Sequence, residues 1–135
     1  MSLLVPDVGE RKFLNVAING VANEDLTLKL YKNNYTPVEG SVAGDFTEAT
    51  FTGYAAVTLA RGSWTVATVA GLTTAAYAQQ AFTSSADQTL ENEYGYFVVG
   101  ATSGALWWAE RFTGGPFPIQ FNGDQIDVTP KINAD

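Results

Sequence analysis

The 135-residue sequence has no cysteine and no histidine. The first absence excludes disulfides, Cys-ligated zinc and thiol catalysis. The second excludes imidazole general bases and His-metal sites. Basic side chains are scarce: seven Lys and Arg stand against fourteen Asp and Glu, a net charge of −7. That balance argues against binding nucleic acid by phosphate neutralisation. Long apolar runs are missing as well. No stretch approaches the ~20 residues of a membrane helix, because the weakly polar region from Ala55 to Ala81 is broken by Arg61, Gly62, Gly71 and Gln79-Gln80. The opening Met1–Pro6 is too short for a signal h-region and has no basic n-region before it. Synthesis and folding in a cytoplasm is the expectation.

What is present is a chain that is 46% hydrophobic and 16% charged, which sets it apart from disordered polypeptides. Its length suits one domain able to bury roughly two-thirds of its unfolded surface. Residues 1–20 read as an arm and a short helix, and residues 21–135 as one β domain. Asp7 with Glu10 three residues on reads as a capping box. Val8, Phe13, Leu14, Ala17 and Ile18 follow at helical spacing, and Gly20 is placed to end the helix. The spacing predicts a helix over Val8–Asn19.

After Gly20 the period changes to two. Leu26, Leu28 and Leu30 alternate with Thr27, Lys29 and Tyr31, the pattern of a half-buried strand. Phe46–Thr52 reads as a further strand. Tyr54–Ala60 and Trp64–Ala70 read as a hairpin about Arg61-Gly62-Ser63, with Gly71–Ala76 a loop and Tyr77–Thr83 a strand. Glu93–Val99 and Ala105–Phe112 flank the loop from Gly100 to Gly104. Asn122-Gly123 predicts a tight hairpin between Phe117–Phe121 and Gln125–Thr129, and Pro130 limits further pairing. About eight or nine short strands with turns every 8–12 residues predict an all-β sandwich, jelly roll or barrel with a short N-terminal helix.

Few constellations carry chemistry. Glu91 and Glu93 share a face of a strand and form a carboxylate pair of the kind glycosidases use, but a solvated strand start explains them as well. Glu110 lies between Trp108 and Phe112, where a cross-strand ion pair is the expectation. Asn122, Asp124 and Asp127 offer oxygen ligands on a turn without the spacing of a calcium loop. The Gly100–Gly104 loop lacks the lysine and the following helix of a phosphate-binding loop. No metal or other cofactor is expected. Trp64, Trp107, Trp108, Tyr94 and Tyr96 make an aromatic set. Adjacent Trp107 and Trp108 are expected on opposite faces of a strand, one in the core and one on a second buried surface, a ligand or a subunit contact.

Several strings carry a resemblance. They are Leu3-Leu4-Val5-Pro6-Asp7-Val8-Gly9-Glu10, Glu24–Asn34, Phe46–Tyr54 and the late Gly123–Pro130 stretch. Together they resemble small virion proteins of tailed phages, the capsid decoration or cement group. The resemblance implies a jelly-roll-like domain that forms a homotrimer and seats on the major capsid protein. Its place would be the capsid exterior, near three-fold or quasi-three-fold points. It brings no catalytic residues.

The favoured expectation is therefore a non-enzymatic virion structural protein with no nucleic-acid or membrane partner. Leu3, Leu4, Val5 and Pro6 are its candidate contact arm, with a hydrophobic staple on its own domain as the alternative. A carbohydrate-binding adhesion module of a tail or head fibre, stacking sugars on Trp64, Trp107 or Trp108, is the second reading. A carboxylate-based lytic enzyme is the third.

Overall fold

The computed structural model describes residues 3–134; Met1 and Ser2 of the expected arm, and Asp135, lie outside the described residues. The organising element is β1 (Leu26–Tyr31), where Leu26, Leu28 and Leu30 are buried as their alternation predicts. β1 pairs antiparallel with β2 (Val57–Leu59) on one side and β7 (Gly95–Gly100) on the other. β8 (Leu106–Arg111) completes a four-stranded sheet of order β2-β1-β7-β8. The β7–β8 hairpin forms where the sequence predicts it, with the loop reversing at Gly104, φ +69.

Both faces of this sheet are covered. On one, Leu28, Leu30, Tyr96, Val98 and Trp108 pack against Phe82, Ile119, Ile126 and Val128. Those residues come from β5 (Gln80–Thr83), β9 (Phe117–Ile119) and β10 (Gln125–Val128), which pair as β10-β5 and, with β6 (Glu91–Glu93), as β6-β9. On the other face, Tyr31, Phe97, Val99 and Ala109 pack against Phe46, which stacks on Phe97 at 4.8 Å between ring centroids. A third sheet has the order β11-β4-β3, from β3 (Thr65–Val69), β4 (Leu72–Ala76) and β11 (Lys131–Ala134). The architecture is thus all-β and sandwich-like with one N-terminal helix, and the described residues form eleven strands where about eight or nine were expected.

The helix α1 (Asp7–Ile18) begins one residue earlier than the spacing predicts. Pro6 is its N-cap and no side chain caps it, so the expected Asp7–Glu10 capping box does not form. The Asp7 N–H instead donates to the Glu39 carbonyl at 2.9 Å, and both acids stay in the first turn, where the helix dipole favours them. Gly20, φ +68, reverses the chain as expected. Phe13 meets the Trp107 ring edge-on at 4.7 Å, which seats α1 on β8. Leu14 and Ile18, expected on the same face, are exposed.

Three pairings differ from expectation. β2 and β3 do not form a hairpin about Arg61-Gly62-Ser63: β2 joins β1 while β3 joins β4. The real hairpin turns at Ala70-Gly71, φ +52 and +83, so β4 replaces the expected loop. Nor does Asn122-Gly123 close a hairpin. β9 pairs with β6 and β10 with β5, and only Gly123 of the two has positive φ. Finally, Phe46–Thr52 forms no regular strand. After a single bridge from Glu48 to Tyr31, side chains replace a ladder. Asn33 accepts from the Thr47 N–H, Glu91 from Thr50 and Phe51, and Gln88 from Thr52.

Candidate interaction surface

The sequence-nominated residues are mostly committed inside the chain. Leu4 exchanges both backbone hydrogen bonds with Ala109 at 3.0 Å, extending the sheet beyond β8. Leu3 and Val5 pack against the core, and Pro6 is fully buried. The described part of the arm is therefore packed onto its own domain, without the Val5–N4 contact of a staple, because N4 is Glu10.

Trp107 and Trp108 are both buried, 4% and 1% exposed, and both enter the same core cluster. The opposite-face expectation fails because of a bulge. Val98 pairs with Trp108 but Val99 pairs with Leu106, which leaves Trp107 as the extra residue. A bulge re-aims one side chain out of the period-two pattern, so Leu106 and Ala109 take the far face while both indoles turn inward. Trp64 is half-buried, edge-on to Tyr77 at 5.1 Å and to Trp108 at 6.0 Å. With Trp107 it lines a cleft of about 190 Å³ in which Arg61 and Glu24 are already engaged, while the buried Trp107 N–H meets no acceptor among the described residues. There Arg61 Nη1 donates to the Asn23 carbonyl, and the Glu24 carboxylate holds the loop from Gly100 to Gly104.

That loop has an internal anion. Glu24 accepts from the Thr102 N–H at 3.0 Å, the Ser103 N–H at 2.8 Å and the Ser103 hydroxyl at 2.6 Å. Lys12 lies 3.5 Å away. Burial works to raise the Glu24 pKa, but the Ser103 and Thr102 hydrogen bonds and the Lys12 charge together hold it below the usual carboxylate value. The sequence signal was present in the Gly-flanked loop, but nothing local showed that Glu24 fills it.

Glu91 and Glu93 do share a face of β6, and Glu93 is fully buried, not solvated. Among the described residues no N–H or hydroxyl donates to either Glu93 oxygen. Burial, with the Glu91 hydrogen bond and charge, pushes the Glu93 pKa up to about 8. Burial also opposes ionisation of Glu91, but hydrogen bonds from Glu93 and Thr50 and the charge of Lys32 bring it down to about 2. At neutral pH the pair holds one proton, and the deeper burial of Glu93 favours it there. Glu91 in turn binds the Thr50 and Phe51 N–H groups and Lys32 at 3.3 Å. A carboxylate so occupied is a structural tie between β6 and the segment from Ala49 to Thr52. Glu110, unlike Glu91, meets no cation among the described residues. It accepts from the Tyr96 hydroxyl at 3.2 Å, its cross-strand neighbour, in place of the expected ion pair. On the Asn122 turn, Asp124 accepts from the Gln120 and Phe121 N–H groups.

The surface that remains without an internal role lies on the third sheet. Every residue of β3 is exposed, with Val66 at 67% and Val69 at 74%. Leu72 of β4 and Leu14 of α1 are exposed beside it. Between α1 and this sheet runs an open apolar cleft of about 660 Å³, lined by Val5, Phe13, Leu14, Val66, Ala75 and Ile132, among others. Residues 62–86, which contain both strands of the hairpin, carry no Asp, Glu, Lys or Arg. Sequence reading missed this surface because it took β4 for a loop. The uncharged run was the available signal. The chain matches no protein-family model and no curated protein.

Proposed function

We propose that the chain is a non-enzymatic virion structural protein, a capsid decoration or cement protein that binds the outer shell surface and stabilises it. The observation that carries the association part of this reading is the uncharged, exposed β3–β4 hairpin and its apolar cleft on a protein of net charge −7. An apolar patch rimmed by polar surface marks a place where another macromolecule sits. The virion part comes from the family resemblance of the strings about Val5–Glu10, Glu24–Asn34 and Phe46–Tyr54. The carboxylates fit a structural role, since Glu24, Glu91 and Glu93 are each turned inward to hold backbone or one another. Repeated shell contacts need not be individually strong, because several engaged at once raise the effective affinity. The test is add-back: purified protein mixed with undecorated heads is expected to co-sediment with them and raise their resistance to heat. Heads that pellet without it overturn the reading.

One observation favours the adhesion reading, and it lies away from the indoles. Phe112, Phe117, Pro118, Gln125 and Asp127 line a second cleft of about 430 Å³. Aromatic faces beside amide and carboxylate groups suit a sugar ring. Glycan binding abolished by Phe117→Ala, with no binding to heads, supports this second reading over the first.

A further inference from the structure

We infer that two copies of the chain join edge to edge through β3, in antiparallel register centred on Ala67, to make one continuous six-stranded sheet. β3 is the end strand of the order β11-β4-β3 and has no partner on its outer side among the described residues. The two-residue turn makes Val69 and Leu72 a hydrogen-bonded pair. Alternation then directs the backbone groups of Thr65, Ala67 and Val69 toward β4 and those of Val66 and Thr68 outward. In a two-fold arrangement Val66 faces Thr68 of the second copy, and the reverse, so both residues exchange their free N–H and C=O groups. The axis falls on Ala67, in a non-hydrogen-bonded pair where Cα atoms approach to about 4.5 Å. That is the tightest point of the contact, and it carries the smallest side chain of β3.

Three features make a second copy the occupant. The edge has none of the devices that keep strands apart: no charge, no proline and no bulge on β3. It is self-complementary, so one strand supplies both halves of an isologous contact. Two acidic chains repel over most of their surfaces, and the uncharged run from Gly62 to Ala86 is where they meet without that repulsion. The side chains of Val69 and Thr65 then lie opposite one another across the axis, which covers the valine that is 74% exposed in the single chain. The pairing concerns copies of the chain alone and does not depend on a capsid being the larger partner. A two-fold pair also differs from the trimer that the family resemblance implies.

The chain has no thiol of its own, so a single cysteine reports the axis directly. Under mild oxidation Ala67→Cys is expected to cross-link into a covalent dimer at least tenfold faster than Gln120→Cys, a control on an exposed position of another surface. Sedimentation of the unaltered protein at micromolar concentration is expected to give twice the chain mass of 14.4 kDa. Ala67→Glu, which sets two carboxylates against each other on the axis, is expected to weaken the dimer at least tenfold. Because Ala67 is exposed, its tryptophan emission is expected to match the parent and show that the variant folds. A monomer, a trimer, or equal cross-linking of the two cysteine variants overturns the inference. Failure to bind heads leaves it standing, so the two readings fail separately.

Discussion

Gly9 of α1 lies so close to the Trp107 carbonyl that a Cβ at this position would overlap the oxygen. The neighbour is backbone, and it belongs to the bulge that turns both indoles into the core. The helix and the bulge therefore fix each other. Gly9→Ala sets two effects in opposition. Alanine favours the helix by about 1 kcal/mol, while the overlap forces α1 away from β8 and costs about 1–3 kcal/mol as overpacking does. The steric effect wins because the Trp107 carbonyl is held between the paired Leu106 and Trp108 and by two buried indoles, and cannot swing aside. Urea unfolding is expected to show a lower midpoint for Gly9→Ala, with Phe13 losing its contact with Trp107. An unchanged or higher midpoint would mean that α1 sits more loosely than this geometry requires.

Glu93 makes stability depend on pH in a direction unusual for a carboxylate. Its folded pKa is about 8, well above the ~4.3 of an unfolded glutamate. Between those values the folded chain holds a proton that the unfolded chain has lost. Stability is therefore full below the unfolded pKa and declines as pH rises toward 8, by at most about 1.4 kcal/mol per pH unit. Glu91, folded pKa about 2, acts oppositely and loses its contribution as pH falls below the usual carboxylate range. Glu93→Gln keeps a donor toward Glu91 and cannot ionise. Urea midpoints between pH 5 and 8 are expected to fall for the parent and stay level for Glu93→Gln, with the variant the more stable at pH 8. A level parent curve removes the buried-proton account.

Local pattern made the strands legible but not their partners. The alternation of Leu26, Leu28 and Leu30 located β1, and glycine at the C-terminus of α1 located the helix end. Asn122-Gly123 misled because a turn dipeptide reports local backbone preference, whereas the flanking strands find better partners in β6 and β5, distant in sequence. β4 was invisible because its turn has glycine only at the second position. Ala70 bears positive φ without an obvious residue signal. The indoles were misplaced by a bulge, which no period-two rule anticipates. The same limit hid the role of Glu24 and Glu91, each separated by a long stretch of chain from the N–H groups it accepts.

The arm shows how the correction changes an expectation. As a free contact element it could be removed without harm to the fold. In the structure Leu4 pairs with Ala109, and Leu3 and Val5 cover the core. Removing residues 2–6 is expected to lower stability by about 2–4 kcal/mol, from apolar surface re-exposed and three backbone bonds lost, two with Ala109 and one from Glu10 to Pro6. Thermal unfolding of the truncated chain measures this. A truncated chain as stable as the parent returns the arm to the role of a contact element for another molecule.

Glu24 offers the sharpest test of the internal anion. Its carboxylate holds the Thr102 and Ser103 N–H groups, and a Cβ at Gly100 would run into Glu24 Oε1. Glu24→Ala leaves those donors without an acceptor and is expected to cost about 1–3 kcal/mol. Hydrogen exchange at the Thr102 and Ser103 amides is expected to speed up at least tenfold, while the Val98 amide within β7 keeps its protection. The pH sign follows from a folded pKa held below the ordinary value. Its contribution is complete above the unfolded pKa and is lost as pH falls through the folded one. Acid below the usual carboxylate range is therefore expected to release the loop, and Glu24→Gln to remove that acid-sensitive step. Amide protection in the loop that is indifferent both to Glu24→Ala and to acid would show that the β7–β8 hairpin holds its own turn without the carboxylate.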